Sequence, residues 1–344
     1  MRALTLTAHG GFERLLVQEV PKPELERPDQ VRIAVRTAAL NHLDLFILAG
    51  IPGINLGFPH VVGTDAAGLV DQVGAEVTGL AVGDRVVINP GVSCGQCALC
   101  RADQDPHCRS FGVIGEHQSG TAAEYLVVPA RNVAKVGSHL SWAEAAALPL
   151  ATLTAWRMLT TKAKLSAQET VLIWGIGGGV SLAALQIAKH LGAVVIATSS
   201  SDTKLSLAKA LGADVTLNHA TQDVAKETRA LTKVGADVVV DSVGEKTWDK
   251  SLRALRPGGR LVTCGATTGP IVQIDIRKLF WFQWSILGST MGSMGEFAAM
   301  MATANLGKLT PVVDSVIPLS DGAQAYQRME RGDQMGKLVL EVSR

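Results

Sequence analysis

The sequence is poor in aromatics and almost without net charge. Aromatic residues make up 4% of its 344 positions, and 32 Lys and Arg against 31 Asp and Glu leave a formal charge of +1. With no block of Lys or Arg there is no electrostatic footprint for nucleic acid or a membrane surface, so neither is expected as a partner. No uncharged apolar run approaches the roughly 18 residues of a membrane span. The opening Met1-Arg-Ala-Leu-Thr-Leu-Thr lacks the apolar core of a signal peptide. A cytoplasmic protein is expected. Internal repeats and low-complexity tracts are absent, which sets aside repeat architectures. Cysteine is scarce as well: there are five, and four of them fall within fifteen positions.

Those four read Cys94-Gly-Gln-Cys97-Ala-Leu-Cys100 and Cys108, a C-x2-C-x2-C-x7-C pattern. Four thiolates around one point satisfy a tetrahedral Zn2+ and leave no position open for substrate, so such a metal holds a loop and does not catalyse. Two disulfides would need an oxidising compartment, and cysteines so close in sequence are poorly placed to pair. The cluster follows Asn89-Pro90-Gly91, placing it on a loop excursion of about residues 91–110, where a metal can substitute for a core.

The length fits two domains, and 47% hydrophobic residues with 35 glycines indicate a glycine-rich α/β protein. From Arg2 to about Pro129, short β-branched runs such as Val31–Val35, Ala67–Val73 and Arg85–Asn89 are broken by Gly, Pro and Asp, predicting a mostly β region. Beyond Ala143, apolar strands alternate with helices: Val171–Trp174, Val194–Thr198, Val238–Asp241, Arg260–Cys264 and Ser285–Gly288. A sixth, Ala213–Leu217, completes two three-strand halves of a doubly wound parallel sheet. Val180, Ala183, Ala184, Ile187, Ala188 and Leu191 form one helical stripe that packs on it.

Trp174-Gly-Ile-Gly-Gly-Gly-Val-Ser181 lies between the first of these strands and its helix. There, backbone N–H groups around Gly178, Gly179 and Val180 and the helix N-terminus can bind a pyrophosphate. Gly175-x-Gly177 and Gly177-x-Gly179 both fit the pattern, and its last glycine is missing in either register. At the end of the second strand an NAD site commonly carries an acid. This chain has Thr198, Ser199, Ser200 and Ser201, then Asp202 and Lys204. Hydroxyls and a lysine accommodate a 2'-phosphate, which favours NADP(H) over NAD(H) as cofactor; Asp202 argues the other way.

Together with these features, Leu40-Asn-His-Leu-Asp44, Gly63-Thr-Asp-Ala-Ala-Gly-Leu-Val70, Gly83-Asp-Arg-Val86, Ala123-Glu-Tyr125, Leu153-Thr-Ala-Trp156, Asp241-Ser-Val-Gly244 and Gly336-Lys-Leu-Val339 give the chain a resemblance to the medium-chain dehydrogenase/reductase superfamily along nearly its whole length. The resemblance implies a GroES-like β catalytic domain, residues 1–151 and 290–344, with a Rossmann domain inserted at 152–289 and the nicotinamide held between them. It also implies cofactor contacts at Thr154, Val243, Gly265 and Lys337 beside Ser199, Ser200 and Lys204, and a homodimer or homotetramer. The places where zinc alcohol dehydrogenases carry catalytic ligands read Asn41, Thr64 and Leu150, none a zinc ligand of useful strength. Asn41, Asp44 and the Gly-x-Asp motif resemble the zinc-free quinone oxidoreductases instead.

Without a Lewis acid, alcohol oxidation lacks its main means of stabilising alkoxide. Hydride addition to a quinone or an α,β-unsaturated carbonyl spreads charge over an enolate that hydrogen bonds alone can stabilise. The leading expectation is therefore an NAD(P)H-dependent reductase of a small-molecule quinone or enone. Asn41 and Thr64 would face the substrate oxygen, with Asp44 orienting the loop or a water. Asn41 and Asp44 could equally cap a helix beginning near Leu43. An alcohol dehydrogenase using His42, Asp44, His60 or Asp65 as atypical zinc ligands, and a cofactor-binding sensor without catalysis, stay open. His42, His60 and His117 read as structural more readily than as proton donors, and the sole tyrosines, Tyr125 and Tyr326, leave a tyrosine donor in doubt. Leu279-Phe-Trp-Phe-Gln-Trp-Ser285 suits either a dimer interface or core packing. Cys264 reads as a small buried residue.

Overall fold

Val31, Ile33 and Val35 alternate with more polar neighbours, and the strand they form, Gln30–Ala39, turns them inward with 1% exposure or less. This strand is the spine of one of two units into which a computed structural model of the protein, describing residues 1–343, divides. Met1–Leu153 and the stretch from Met291 onward make the first unit, and Thr154–Thr290 the second.

In the first unit, Gln30–Ala39 runs antiparallel to Asp65–Val73 and to Tyr125–Pro129. It also runs antiparallel to Lys337–Glu341, with Val339 opposite Ala39. Val133–Lys135, Arg85–Ile88 and Val313–Pro318 complete a seven-stranded sheet, and a three-stranded sheet joins Leu15–Glu19, Arg2–Leu6 and His60–Val61. Leu4, Leu6, Ile33, Val70, Ile88, Leu340 and Tyr326 belong to its core. Helix Gly322–Arg331 buries Ala325, Tyr326 and Met329.

The second unit is a six-stranded parallel sheet. Its spatial order is Val215–Asn218, Val194–Ser199, Thr170–Ile173, Ala236–Val240, Leu255–Thr263, Ser285–Gly288. In chain order this is 3-2-1-4-5-6, the Rossmann arrangement. The fifth strand begins at Leu255, earlier than its apolar run suggests, because Ala236 already pairs with Leu255 before a bulge resets the register at Val238 and Arg260. Helix Gly179–His190 also buries Leu182 and Leu185, so its covered face is wider than the single predicted stripe, while Val180 and Leu191 stay half-exposed. No helix among the described residues is long and apolar enough to cross a membrane.

Candidate functional site

A polar cluster sits inside the first unit where strand Gln30–Ala39 gives way to helix His42–Ala49. Asn41 is the extended residue that caps this helix, and the Asp44 carboxylate, Oδ2, accepts its backbone N–H at 2.9 Å. Capping and site membership coincide here. The Asn41 amide donates to Thr64 Oγ1 at 2.6 Å and to Asp65 Oδ2 at 2.9 Å. Thr64 and Asp65 reach this point because Gly63 turns the chain with φ +93°, where a Cβ would also lie 2.8 Å from Thr121 Oγ1. Lys337, from the last strand, donates to Asn41 Oδ1 and to Asp65 Oδ2, the latter at 3.2 Å. The remaining Asp65 oxygen accepts the Leu150 N–H at 2.8 Å. Lys337 and Asp65 form a buried ion pair, their side chains 6% and 0% exposed.

Behind Asn41, Asp44 accepts a second bond from the Tyr326 hydroxyl at 3.2 Å. Its other oxygen is buried without a partner. Burial pushes the Asp44 carboxyl up to about 7 against the pull of the Asn41 N–H and Lys337, and burial with the neighbouring Asp44 holds Tyr326 well above the ordinary tyrosine range. The sequence had left Tyr326 unplaced. The structure puts it behind the site, its hydroxyl donating to Asp44. His60 spends Nε2 on the Gly115 carbonyl, 2.8 Å away, and His117 Nδ1 accepts the Val113 N–H, so both serve local structure. His42 is exposed on its helix.

In the second unit the glycine turn opens at Gly175, φ +64°, which favours the Gly175-x-Gly177 register. Gly178 caps helix Gly179–His190, and Ser181 ties back to the Trp174 carbonyl at 2.8 Å. The Lys204 ammonium lies over the turn, about 3.0 Å from where a Gly177 Cβ would be. Ser199 is buried and Ser200 exposed. Ser201 caps helix Asp202–Ala210, and Asp202 accepts from the Asn218 amide at 2.8 Å, so its charge serves that helix and Asn218. Asp241, fully buried, accepts the N–H groups of Val243 and Gly244 and the hydroxyls of Thr247 and Ser251. This fixes the Val243 turn, a role that sequence reading did not assign. Gly265 follows the fifth strand, its carbonyl accepting from Thr263 at 3.0 Å, and Thr154 is buried at the start of the unit. Of the predicted residues, Asn41, Asp44, Thr64 and Lys337 converge in the first unit. The glycine turn, Ser199, Ser200, Lys204, Val243 and Gly265 belong to the second.

Cys94, Cys97, Cys100 and Cys108 gather their sulfurs at separations of 3.5, 3.6, 3.8 and 3.8 Å. Zn–S bonds of about 2.3 Å in a tetrahedron put sulfurs about 3.8 Å apart, and a disulfide would bring them to about 2.0 Å. The lobe thus fits one tetrahedral zinc. It is the one group of three or more His, Cys, Asp or Glu side chains placed to hold a metal among the described residues. The aromatic stretch divides: Phe282 stacks on Trp284 at 5.0 Å inside the unit, while Phe280 and Trp281 stand 65% and 75% exposed.

A Rossmann-type sheet in one unit and a four-cysteine lobe in a mostly β unit point to a dehydrogenase, and the comparisons agree. Residues 27–138 match the alcohol dehydrogenase GroES-like domain and residues 179–305 the zinc-binding dehydrogenase domain. The chain is 33% identical to a zinc-type alcohol dehydrogenase-like protein of Schizosaccharomyces pombe, with 96% of each chain covered. It is 31% identical to acryloyl-coenzyme A reductase of Metallosphaera sedula, with 99% of each covered. A crystal structure of an NAD-dependent alcohol dehydrogenase superposes with a TM-score of 0.96 at 45% identity, each chain fully covered. The chain belongs to the medium-chain dehydrogenase/reductase superfamily and is an oxidoreductase of GroES-like plus Rossmann architecture.

Proposed function

We propose that the protein is an NADP(H)-dependent reductase of α,β-unsaturated carbonyls or quinones, with one structural zinc per chain and no catalytic metal. The observation that carries this reading is the interlocked Asn41, Thr64, Asp65 and Lys337 cluster. It stands where the zinc alcohol dehydrogenases take their catalytic ligands, and Asp65, its one carboxylate, is already paired with the Lys337 ammonium. His42, Asp44, His60 and Asp65 are not gathered as a ligand set: His60 is spent on Gly115, and both Asp65 oxygens are committed. The similarity to acryloyl-coenzyme A reductase supports a conjugated thioester or ketone as substrate class. The reduced nicotinamide supplies the hydride. Gly175–Gly179 and the helix N-terminus would hold the pyrophosphate, with Ser199, Ser200 and Lys204 around the adenosine ribose. Phe280 and Trp281, beside edge strand Ser285–Gly288, would form a homodimer interface.

A second reading, NAD-dependent alcohol oxidation, draws on the 45% identity to the crystallised alcohol dehydrogenase. Elemental analysis paired with turnover on enones, quinones and primary alcohols separates the two. One zinc and enone or quinone reduction are expected. Two zincs with chelator-sensitive alcohol oxidation would overturn the proposal, and tight cofactor binding without turnover of any substrate would indicate a sensor. For the cofactor, Lys204→Ala is expected to weaken NADPH binding about tenfold to a hundredfold, by loss of a charge-assisted bond, with little change for NADH. Equal losses for both cofactors, measured by fluorescence titration, would refute the 2'-phosphate assignment.

A further inference from the structure

Donor accounting inside the polar cluster reassigns its active member. An amide NH2 carries two protons and an ammonium three. Both Asn41 protons are committed, at 2.6 Å to Thr64 and 2.9 Å to Asp65, so of the two residues that sequence places opposite the substrate oxygen Asn41 has no donor left, while Thr64 keeps its neutral hydroxyl proton. Lys337 spends two of its three, on Asn41 Oδ1 and Asp65 Oδ2, and no described residue accepts the third. Asp65 fixes the ammonium from behind, itself anchored by the Leu150 N–H. The result is a buried, pre-oriented cation with one donor to spare, next to the Thr64 hydroxyl.

We propose that Lys337 is a catalytic residue whose free N–H holds the carbonyl oxygen of the bound α,β-unsaturated substrate, supplying the positive charge that a metal provides in zinc alcohol dehydrogenases. This rests on the reductase reading above. Hydride from the reduced nicotinamide forms a C–H bond at the β-carbon, and the nicotinamide is oxidised. The C=C pair shifts to the bond between the α-carbon and the carbonyl carbon, and the C=O pair moves onto oxygen. Lys337 stabilises that enolate oxygen without giving up its proton, and water then protonates the α-carbon. Asn41 becomes a positioning residue, bridging Lys337 to Thr64.

The test must separate this role from the cofactor contact suggested by the Gly336-Lys337 motif and from simple stability. Lys337→Gln alone would leave Asp65 an unpaired buried charge, and Asp65→Asn alone would leave Lys337 one. The informative comparison is therefore wild type against the double variant Lys337→Gln/Asp65→Asn, with melting temperature, NADPH affinity and kcat measured for each. The double variant is expected to lose about 100-fold to 1,000-fold in kcat relative to wild type, with NADPH affinity within about twofold. A kcat within about threefold, with NADPH affinity down more than about tenfold, would make Lys337 a cofactor ligand and overturn the inference. An infrared measurement on wild type with the oxidised cofactor and a carbonyl-labelled enone does not depend on how the variants fold: a downshifted C=O stretch is expected, and an unshifted one refutes the contact. If wild type reduces alcohol products' aldehydes and no enone or quinone, the reductase reading itself falls and the inference with it.

Discussion

Removing the zinc proposed for the cysteine lobe, by chelation or by Cys97→Ser, is expected to unfold about residues 91–110 and to lower the melting temperature strongly. The lobe's own secondary structure is slight. Its helix, Ala98–Arg101, is four residues long with none buried, and its base is a ladder of two-residue strands, Gly91–Val92 with Gly112–Val113. A structural zinc contributes about 10–16 kcal/mol in isolated small domains, far more than such elements supply. The damage should spread. Asp105 accepts from Ser93 at 2.7 Å, while its other oxygen and Asp103 accept the Met294 and Gly295 N–H groups at the start of helix Met294–Asn305. Losing contacts of this kind costs roughly 1 kcal/mol each. Limited proteolysis should cut first within 94–110, then near 293. A metal-free protein with the parent melting temperature and digestion pattern would show that the lobe needs no metal.

The second large effect concerns pH. Asp44 keeps its proton in the folded protein up to about 7, because burial disfavours the anion, whereas the unfolded chain releases it near the ordinary value of 3.8. Between those values the folded state binds the extra proton, so this group stabilises the fold at low pH and loses its contribution as pH rises to about 7. The loss totals on the order of 4 kcal/mol at most, at 1.36 kcal/mol per unit. Asp44→Asn keeps an oxygen for the Asn41 N–H and the Tyr326 hydroxyl and removes the titration. The stability difference between wild type and Asp44→Asn, from urea unfolding at several pH values, should therefore shift against wild type from pH 4 to 7 and then level off. A difference independent of pH would mean that Asp44 is ionised in the fold throughout.

What could be read in advance depended on how local the controlling physics is. The cysteine spacing, the apolar runs of the parallel sheet and the glycine turn are set within a few dozen residues, and each could be placed from sequence. The cap at Asn41 was legible too, from a helix-capping residue type just before the apolar run. Tyr326 was not, because its partner Asp44 lies 282 positions away and no pattern links the two helices. Nor could sequence say which of Asn41, Thr64 and Lys337 keeps a spare proton, since that depends on how neighbours divide their lone pairs. Phe282 and Trp284 went to the core while Phe280 and Trp281 stayed outside, so the core reading of the aromatic stretch holds for only part of it.

The pairing of Gln30–Ala39 with Lys337–Glu341 sets an order of events during synthesis. Strand partners about 300 residues apart cannot meet until the later one leaves the ribosome, so the first unit waits with the Thr37–Ala39 end of a central strand unpaired on one edge. The second unit, contiguous from Thr154 to Thr290, has no such wait and can fold while translation continues. The strand that closes the sheet also delivers Lys337. A nascent chain therefore acquires its nucleotide turn first, and its buried cation only after the whole second unit has been made.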